Sequence, residues 1–244
     1  MAVALTPPAR RALVLETWFL MLAFLLPTVM SAVIVFAQHV QGVSNITRFP
    51  SIVSGHPVTN LVLGILSYVT IGAVVPLALF LLSRTGQPPS VIGLGWPSLV
   101  VDVWPGLGLA VLSFLTEWAV LIPFAPLIEH GSKLVNPVPT GNVPGYYVIW
   151  GIAISAVTAV TEEAIVNGYL LTRLEQLGWS PRRALALSLV LRTSYHVYYG
   201  LGFLLTVPFG YYVTRSFQKH RRLNRSIAAH FIYDAVLSTI AILA

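Results

Sequence analysis

Apolar runs too long for an ordinary soluble core constrain this chain more than any other feature. Nearly uncharged stretches of more than ~18 residues, enough for a helix to cross the hydrocarbon layer, recur along it. Only 9% of the 244 residues are charged and 56% are hydrophobic, whereas a soluble domain carries about 25% charge. The expected fold class is all-α, a polytopic transmembrane helical bundle of about seven spans. The spans are expected at 13–37, 58–83, 102–125, 146–173, 184–199, 201–216 and 225–243. The fifth and sixth are near or below the usual ~17–25 residues. Gly200 and Gly202 between them predict a tight helical hairpin. The connectors at 38–57, 84–101 and 126–145 are rich in Gly, Pro, Ser and Asn, as loops are. No internal repeat divides the chain, so a single membrane domain is expected over 1–244.

Charge placement predicts the orientation. The 14 basic residues outnumber the 8 acids, but they fall in short connectors rather than in stripes interleaved with aromatics, which excludes a nucleic-acid partner. With the N-terminus inside, the inner segments hold Arg10, Arg11, Arg84, Arg173, Arg182, Arg183, Arg215, Lys219, Arg221, Arg222 and Arg225. The outer segments hold only Arg48 and Lys133, a clear positive-inside asymmetry. Arg10 and Arg11 precede an apolar stretch longer than the 7–15 residues of a signal-peptide core, so it is expected to be a retained first span. The chain has no cysteine, which excludes disulfides, thiolate nucleophiles and thiolate metal sites.

The ionisable residues inside the spans carry the functional information. Span four holds Glu162 and Glu163, span five Arg192 and His196, and span seven His230 and Asp234. Each Arg or Asp at a helix centre costs roughly 2.5–3.5 kcal/mol on the insertion scale, so the members are expected to meet in a shared wet cavity. Helical spacing allows it: Arg192 and His196 are four apart, as are His230 and Asp234, with Ser188 and Ser226 extending each stripe. Glu163 and Asn167 form a similar pair in span four. Counted from the inner side, Glu162 and His196 both lie roughly 16–18 Å deep at 1.5 Å per residue, and His230 lies shallower. A carboxylate in low dielectric, with a histidine beside it, is a competent general base toward water. A second histidine with an acid can stabilise a developing oxyanion. Attack of water on an amide is the favoured reaction class.

At these residues the chain resembles the CAAX protease and bacteriocin-processing family of intramembrane endopeptidases, to which the type II CAAX prenyl protease belongs. The family's paired glutamates, followed by three residues and an arginine, read here as Glu162-Glu163-Ala164-Ile165-Val166-Asn167. Its second motif, an aromatic upstream of a histidine, reads as Arg192-Thr193-Ser194-Tyr195-His196. Its third, a histidine followed by an Asn or Asp, reads as His230-Phe231-Ile232-Tyr233-Asp234. The resemblance implies N-terminal spans over about 1–83 and a catalytic core over about 84–244. It further implies that Glu162 and His196 activate the water, that Glu163 supports them, and that His230 with Asp234 builds the oxyanion site. The implied substrate is a peptide or membrane protein, in some members lipidated, and the implied setting is a bacterial plasma membrane. Two departures stand out: Asn167 replaces the motif arginine and Arg192 the second-motif aromatic. The positive charge is therefore expected to have moved to span five, where Arg192 pairs with Glu163 or Asp234.

Each of these residues also has a structural reading. The two glutamates can pin helix packing as an ion pair, the histidines can serve as interhelical glue, Asp234 can orient His230, and Arg192 can balance charge. No cofactor is favoured. Zinc on Glu162, His196 and His230, one acid and two histidines, is the alternative donor set. Competing functions are a non-catalytic protein on the same scaffold, serving bacteriocin immunity or a partner, and a proton-coupled transporter, against which the lack of inverted repeats counts. Glu16 and Glu117 match no motif and are expected to pair structurally or to lie at the interface.

Overall fold

The computed structural model describes residues 6–40, 57–131 and 146–243. The expectations attached to Arg48 and Lys133 lie outside these residues. The described residues are all-α: α1 (Pro7–Val40), α2 (Pro57–Gly72), α3 (Val74–Arg84), α4 (Trp104–Gly131), α5 (Tyr146–Glu162), α6 (Leu171–Gln176), α7 (Pro181–Ser194), α8 (Thr206–His220) and α9 (Leu223–Leu243). Shorter 3₁₀ and π-helical segments join them. Four helical stretches are long and apolar enough to cross a membrane: Pro7–Ile34, Gly64–Arg84, Leu99–Phe124 and Val148–Gln176. They correspond to the first four expected spans.

The second span is interrupted at Ala73, between α2 and α3. Pro76 explains the break, because its ring nitrogen has no hydrogen to offer the Gly72 carbonyl one turn back. The fourth span runs without a gap from α5 through a π-helical turn at Glu163–Leu170 into α6.

Spans five and six correct the sequence expectation. In place of two helices meeting at Gly200 and Gly202, α7 has 14 residues, α8 has 15, and a 3₁₀ segment Val197–Leu205 separates them. Fourteen residues reach only ~21 Å at 1.5 Å per residue, short of a ~30 Å hydrocarbon layer. Ser180 accepts a bond from the Arg183 N–H, and Pro181 occupies the first turn, so α7 starts at a well-specified point. His196 consequently sits just beyond the C-terminal end of α7 rather than on its face. α9, at 21 residues, has the length of a span but carries Arg225, His230 and Asp234 and is not among the four.

The core gathers on the π-helical turn, whose eight residues are all buried. Ile165, Tyr169 and Leu170 pack against Leu20, Met21 and Phe24 of α1, Ala78 and Leu82 of α3, and Phe217 and Leu223. On α1 the opposite face, with Leu15, Phe19, Leu22 and Leu26, is exposed, and lipid chains suit it. Glycine brings elements close at two positions that matter. Gly106 meets α9 so closely that a Cβ would lie 2.9 Å from Ala228, and Gly210 of α8 lies directly against the Arg192 side chain. α9 is thereby clamped between α5 and α4, which sets His230 opposite the paired glutamates.

Candidate active site

Glu162 closes α5 and Glu163 opens the π-helical turn. A π-turn pairs residues five apart and inserts an extra residue into the helix, and such bulges occur often at functional sites. Here it buries both carboxyl groups, leaving Glu162 5% and Glu163 0% exposed. Arg192, 1% exposed, lies between them. Its Nη2 is 2.9 Å from Glu163 Oε1 and its Nη1 is 3.5 Å from Glu162 Oε2. The Nη2 contact is a close ion pair off the straight hydrogen-bond line, and Nε, turned toward Gly210, has no acceptor. The guanidinium also faces the Phe209 ring at 5.8 Å. Of the two partners expected for Arg192, the structure brings it to Glu163, adds Glu162, and leaves Asp234 to His230.

Glu163 is the hub. Besides Arg192, its Oε1 meets His230 Nδ1 at 2.8 Å, and its Oε2 accepts a 2.5 Å bond from the Asn167 amide. The Asn167 carbonyl oxygen in turn accepts from Thr214 at 2.8 Å, and Thr214 lies 3.4 Å from the Ser188 hydroxyl. Asn167 thus links Glu163 to Thr214 by neutral hydrogen bonds and brings no charge of its own. His230 turns its other nitrogen, Nε2, to Asp234 Oδ2 at 3.3 Å. Phe209 packs edge-on against the His230 ring. Asp234 is the more open member, its side chain 31% exposed.

Glu162 and His196 meet through Tyr195 and Arg192. The Tyr195 hydroxyl donates to Glu162 Oε2 at 2.7 Å, the oxygen that Arg192 also approaches. His196 Nδ1 lies 2.8 Å from the Arg192 carbonyl oxygen. A carbonyl only accepts, so Nδ1 carries the proton and Nε2 holds the lone pair in the neutral ring. The ring stacks on Tyr199 at 6.1 Å and tilts against Tyr195 at 4.7 Å. The four-residue spacing of Arg192 and His196 is therefore used, though through a backbone carbonyl at a helix end and not along a helical face.

Three buried contributors carry no motif signal. Tyr195 stood in the quoted second motif only as the neighbour of His196, and nothing distinguishes Thr214 from other threonines of an apolar segment. Glu117 of α4, 8% exposed, accepts a hydrogen bond from Tyr233, the residue before Asp234. That contact agrees with the structural pairing expected of it. Glu16 also pairs, with Arg173 at 2.6 Å and with the Tyr169 hydroxyl. Arg173 is fully buried and further bonded to Gln87 and Gln176. It is a packed partner, where a topology-setting charge of an inner segment was expected.

The alternative zinc set, Glu162, His196 and His230, is not grouped as metal ligands. Among the described residues no three acids or histidines are grouped so as to hold a metal ion. Both His230 nitrogens already face carboxylates and His196 Nδ1 faces a carbonyl. The chemistry within reach of this donor set is acid–base: two carboxylates of different pairing, one oriented imidazole, and a guanidinium between them.

Residues 144–236 match the family described as Type II CAAX prenyl endopeptidase Rce1-like. No curated protein and no solved structure matches the chain. The matched segment contains Glu162, Glu163, Asn167, Arg192, His196, His230 and Asp234, and it is a Type II CAAX prenyl endopeptidase Rce1-like domain within a multi-pass membrane protein.

Proposed function

We propose that the chain is an intramembrane endopeptidase that hydrolyses a peptide bond with a water activated by Glu162 and His196. The observation that carries this reading is the burial of Glu162, Glu163, Arg192 and His230 in one connected network. Tyr195 and Arg192 hold Oε2 of Glu162, so Oε1 is the oxygen that takes a proton from water. His196, with its lone pair on Nε2, shares that role. The hydroxide adds to the scissile carbonyl carbon. The carbonyl oxygen, becoming negative, replaces Asp234 at the weakly held Nε2 of His230. The proton taken from water passes to the departing amine as the carbon–nitrogen bond breaks, leaving a carboxylate on one product. Glu163 and Asn167 position His230 and Arg192 and do not touch the substrate.

The substrate on this reading is a peptide or membrane protein, with a lipidated one as a special case. The setting is a bacterial plasma membrane with the N-terminus cytoplasmic, the cavity opening toward the side bearing the basic connectors. The core takes in residues from about 84 onward, because α4 packs on α9 and Glu117 holds Tyr233 beside Asp234. Comparative membrane proteomics of cells carrying the wild type, Glu162→Ala or His196→Ala tests this. An uncleaved precursor accumulating in both variants supports the reading, and identical membrane proteomes overturn it.

A non-catalytic role on the same scaffold has one observation in its favour. Both glutamates are already paired with Arg192, and His230 with Glu163 and Asp234, as in a structural network. That reading expects Glu162→Ala to keep the cellular phenotype once the protein is shown to accumulate normally.

A further inference from the structure

Away from the glutamate–histidine network, a cavity of about 770 Å³ opens between the start of α4, the ends of α6 and α8, and the start of α7. Its walls combine the apolar Leu109, Tyr212 and Trp179 with the cationic Arg215, Lys219 and Arg225. We propose that this cavity binds the phosphate headgroup of an anionic phospholipid.

Charge bookkeeping within the cavity supports it. The acid in its wall, Glu175, is already paired with Arg221 at 3.2 Å. Arg225 spends two donors on the Val101 carbonyl, at 2.9 and 3.1 Å. Among the described residues Arg215 bonds the neutral Gln218 and no acid. Arg215 and Lys219 are exposed and four apart on one face of α8, a like-charge pair that destabilises a helix unless an anion bridges it. The positive field is felt nearby: His220 is pushed below its ordinary range by burial and then by Arg225 and Lys219.

Position distinguishes a lipid from a free anion. Leu109 lies within the span Leu99–Phe124, and Leu171 and Glu175 lie in the last turns of Val148–Gln176. The cavity therefore opens where two spans reach the membrane surface. Trp96, 94% exposed, and Trp104, 65% exposed, stand at the same end of α4, as interfacial aromatics do. Leu109 and Tyr212 offer an apolar wall for an acyl chain directly below a cationic rim, and phosphate alone has no use for that wall.

The test uses the purified full chain in a neutral detergent, with thermal unfolding followed as short-chain phosphatidylglycerol is added. Saturable stabilisation is expected, with phosphatidylcholine of the same chain length giving none. Arg215→Gln with Lys219→Gln should raise the half-saturating concentration about tenfold or more. Arg11→Gln with Arg84→Gln, two exposed basic residues outside the cavity, should change it less than about twofold. Lys219→Glu alone, on an exposed side chain, provides a second variant should the first pair lower the starting stability. The proposal is overturned if the control pair weakens binding equally, if phosphatidylcholine stabilises as well, or if inorganic phosphate acts at the same concentration.

Discussion

Arg192 places a guanidinium in a fully enclosed site, and its energy there depends on two carboxylates held at 3.5 and 2.9 Å. Removing one partner of a buried ion network leaves the other charges uncompensated, which typically costs about 3–5 kcal/mol. Arg192→Phe is therefore expected to lower the thermal stability of the purified protein by that order and to abolish activity. Adding Asn167→Arg should recover part of both, because Asn167 already contacts Glu163 from the other side. A double variant no better than Arg192→Phe alone would show that the charge has not been transferred between the two positions. At this scale the sequence was informative wherever an ionisable side chain stood in an apolar run. Glu162, Glu163, Arg192, His230 and Asp234 are conspicuous for that reason, and the structure joins them. Tyr195 and Thr214 were not legible, since a tyrosine or threonine in a membrane segment is unremarkable until its hydroxyl has a partner.

Among the elements, the π-helical turn at Glu163–Leu170 and the approach of α8 to α7 shape the site. Neither has a local signature: residues 163–170 read as ordinary helix, and the π-turn comes to light only in the structure, where Ile165 and Tyr169 pack in the core. The early end of α7 was equally hidden, because Thr193, Ser194 and Tyr195 do not break a helix by composition. Pro76, by contrast, makes the interruption at Ala73 readable after the fact. The contact between α7 and α8 depends on Gly210, where a Cβ would sit 2.9 Å from Arg192 Cδ and 3.0 Å from a Leu189 methyl. Gly210→Ala is expected to push the guanidinium off the glutamates and lower the rate of precursor cleavage by an order of magnitude or more, with about 1–3 kcal/mol lost in thermal unfolding. An unchanged rate would mean that Arg192 tolerates displacement and does not set the geometry.

Over the whole molecule, two buried polar assemblies hold the helices together. The first, the glutamate–histidine network, joins the fourth span to α7, α8 and α9; the second ties the N-terminal helix to the fourth span, joining Glu16 of α1 to Arg173 and Tyr169. Arg173→Met is expected to destabilise the protein strongly, whereas Arg173→Met with Glu16→Gln should regain much of the loss, since the stranded carboxylate is then gone. Thermal unfolding of the three proteins checks this, and equal losses in single and double variants would show that the pair is not coupled. Hydropathy gave the first four spans and the helical class, while the shorter pieces that follow were set by how α7, α8 and α9 enclose the network. The proposed hydrolysis stands on Glu162 acting as a base toward water. Its most direct measurement is the rate at which the purified chain in proteoliposomes cleaves a precursor accumulated in Glu162→Ala membranes, compared between wild type and Glu162→Gln. A loss of about 10²–10⁴-fold with the unfolding transition retained is expected; a Glu162→Gln rate within a few-fold of wild type would rule Glu162 out as the base.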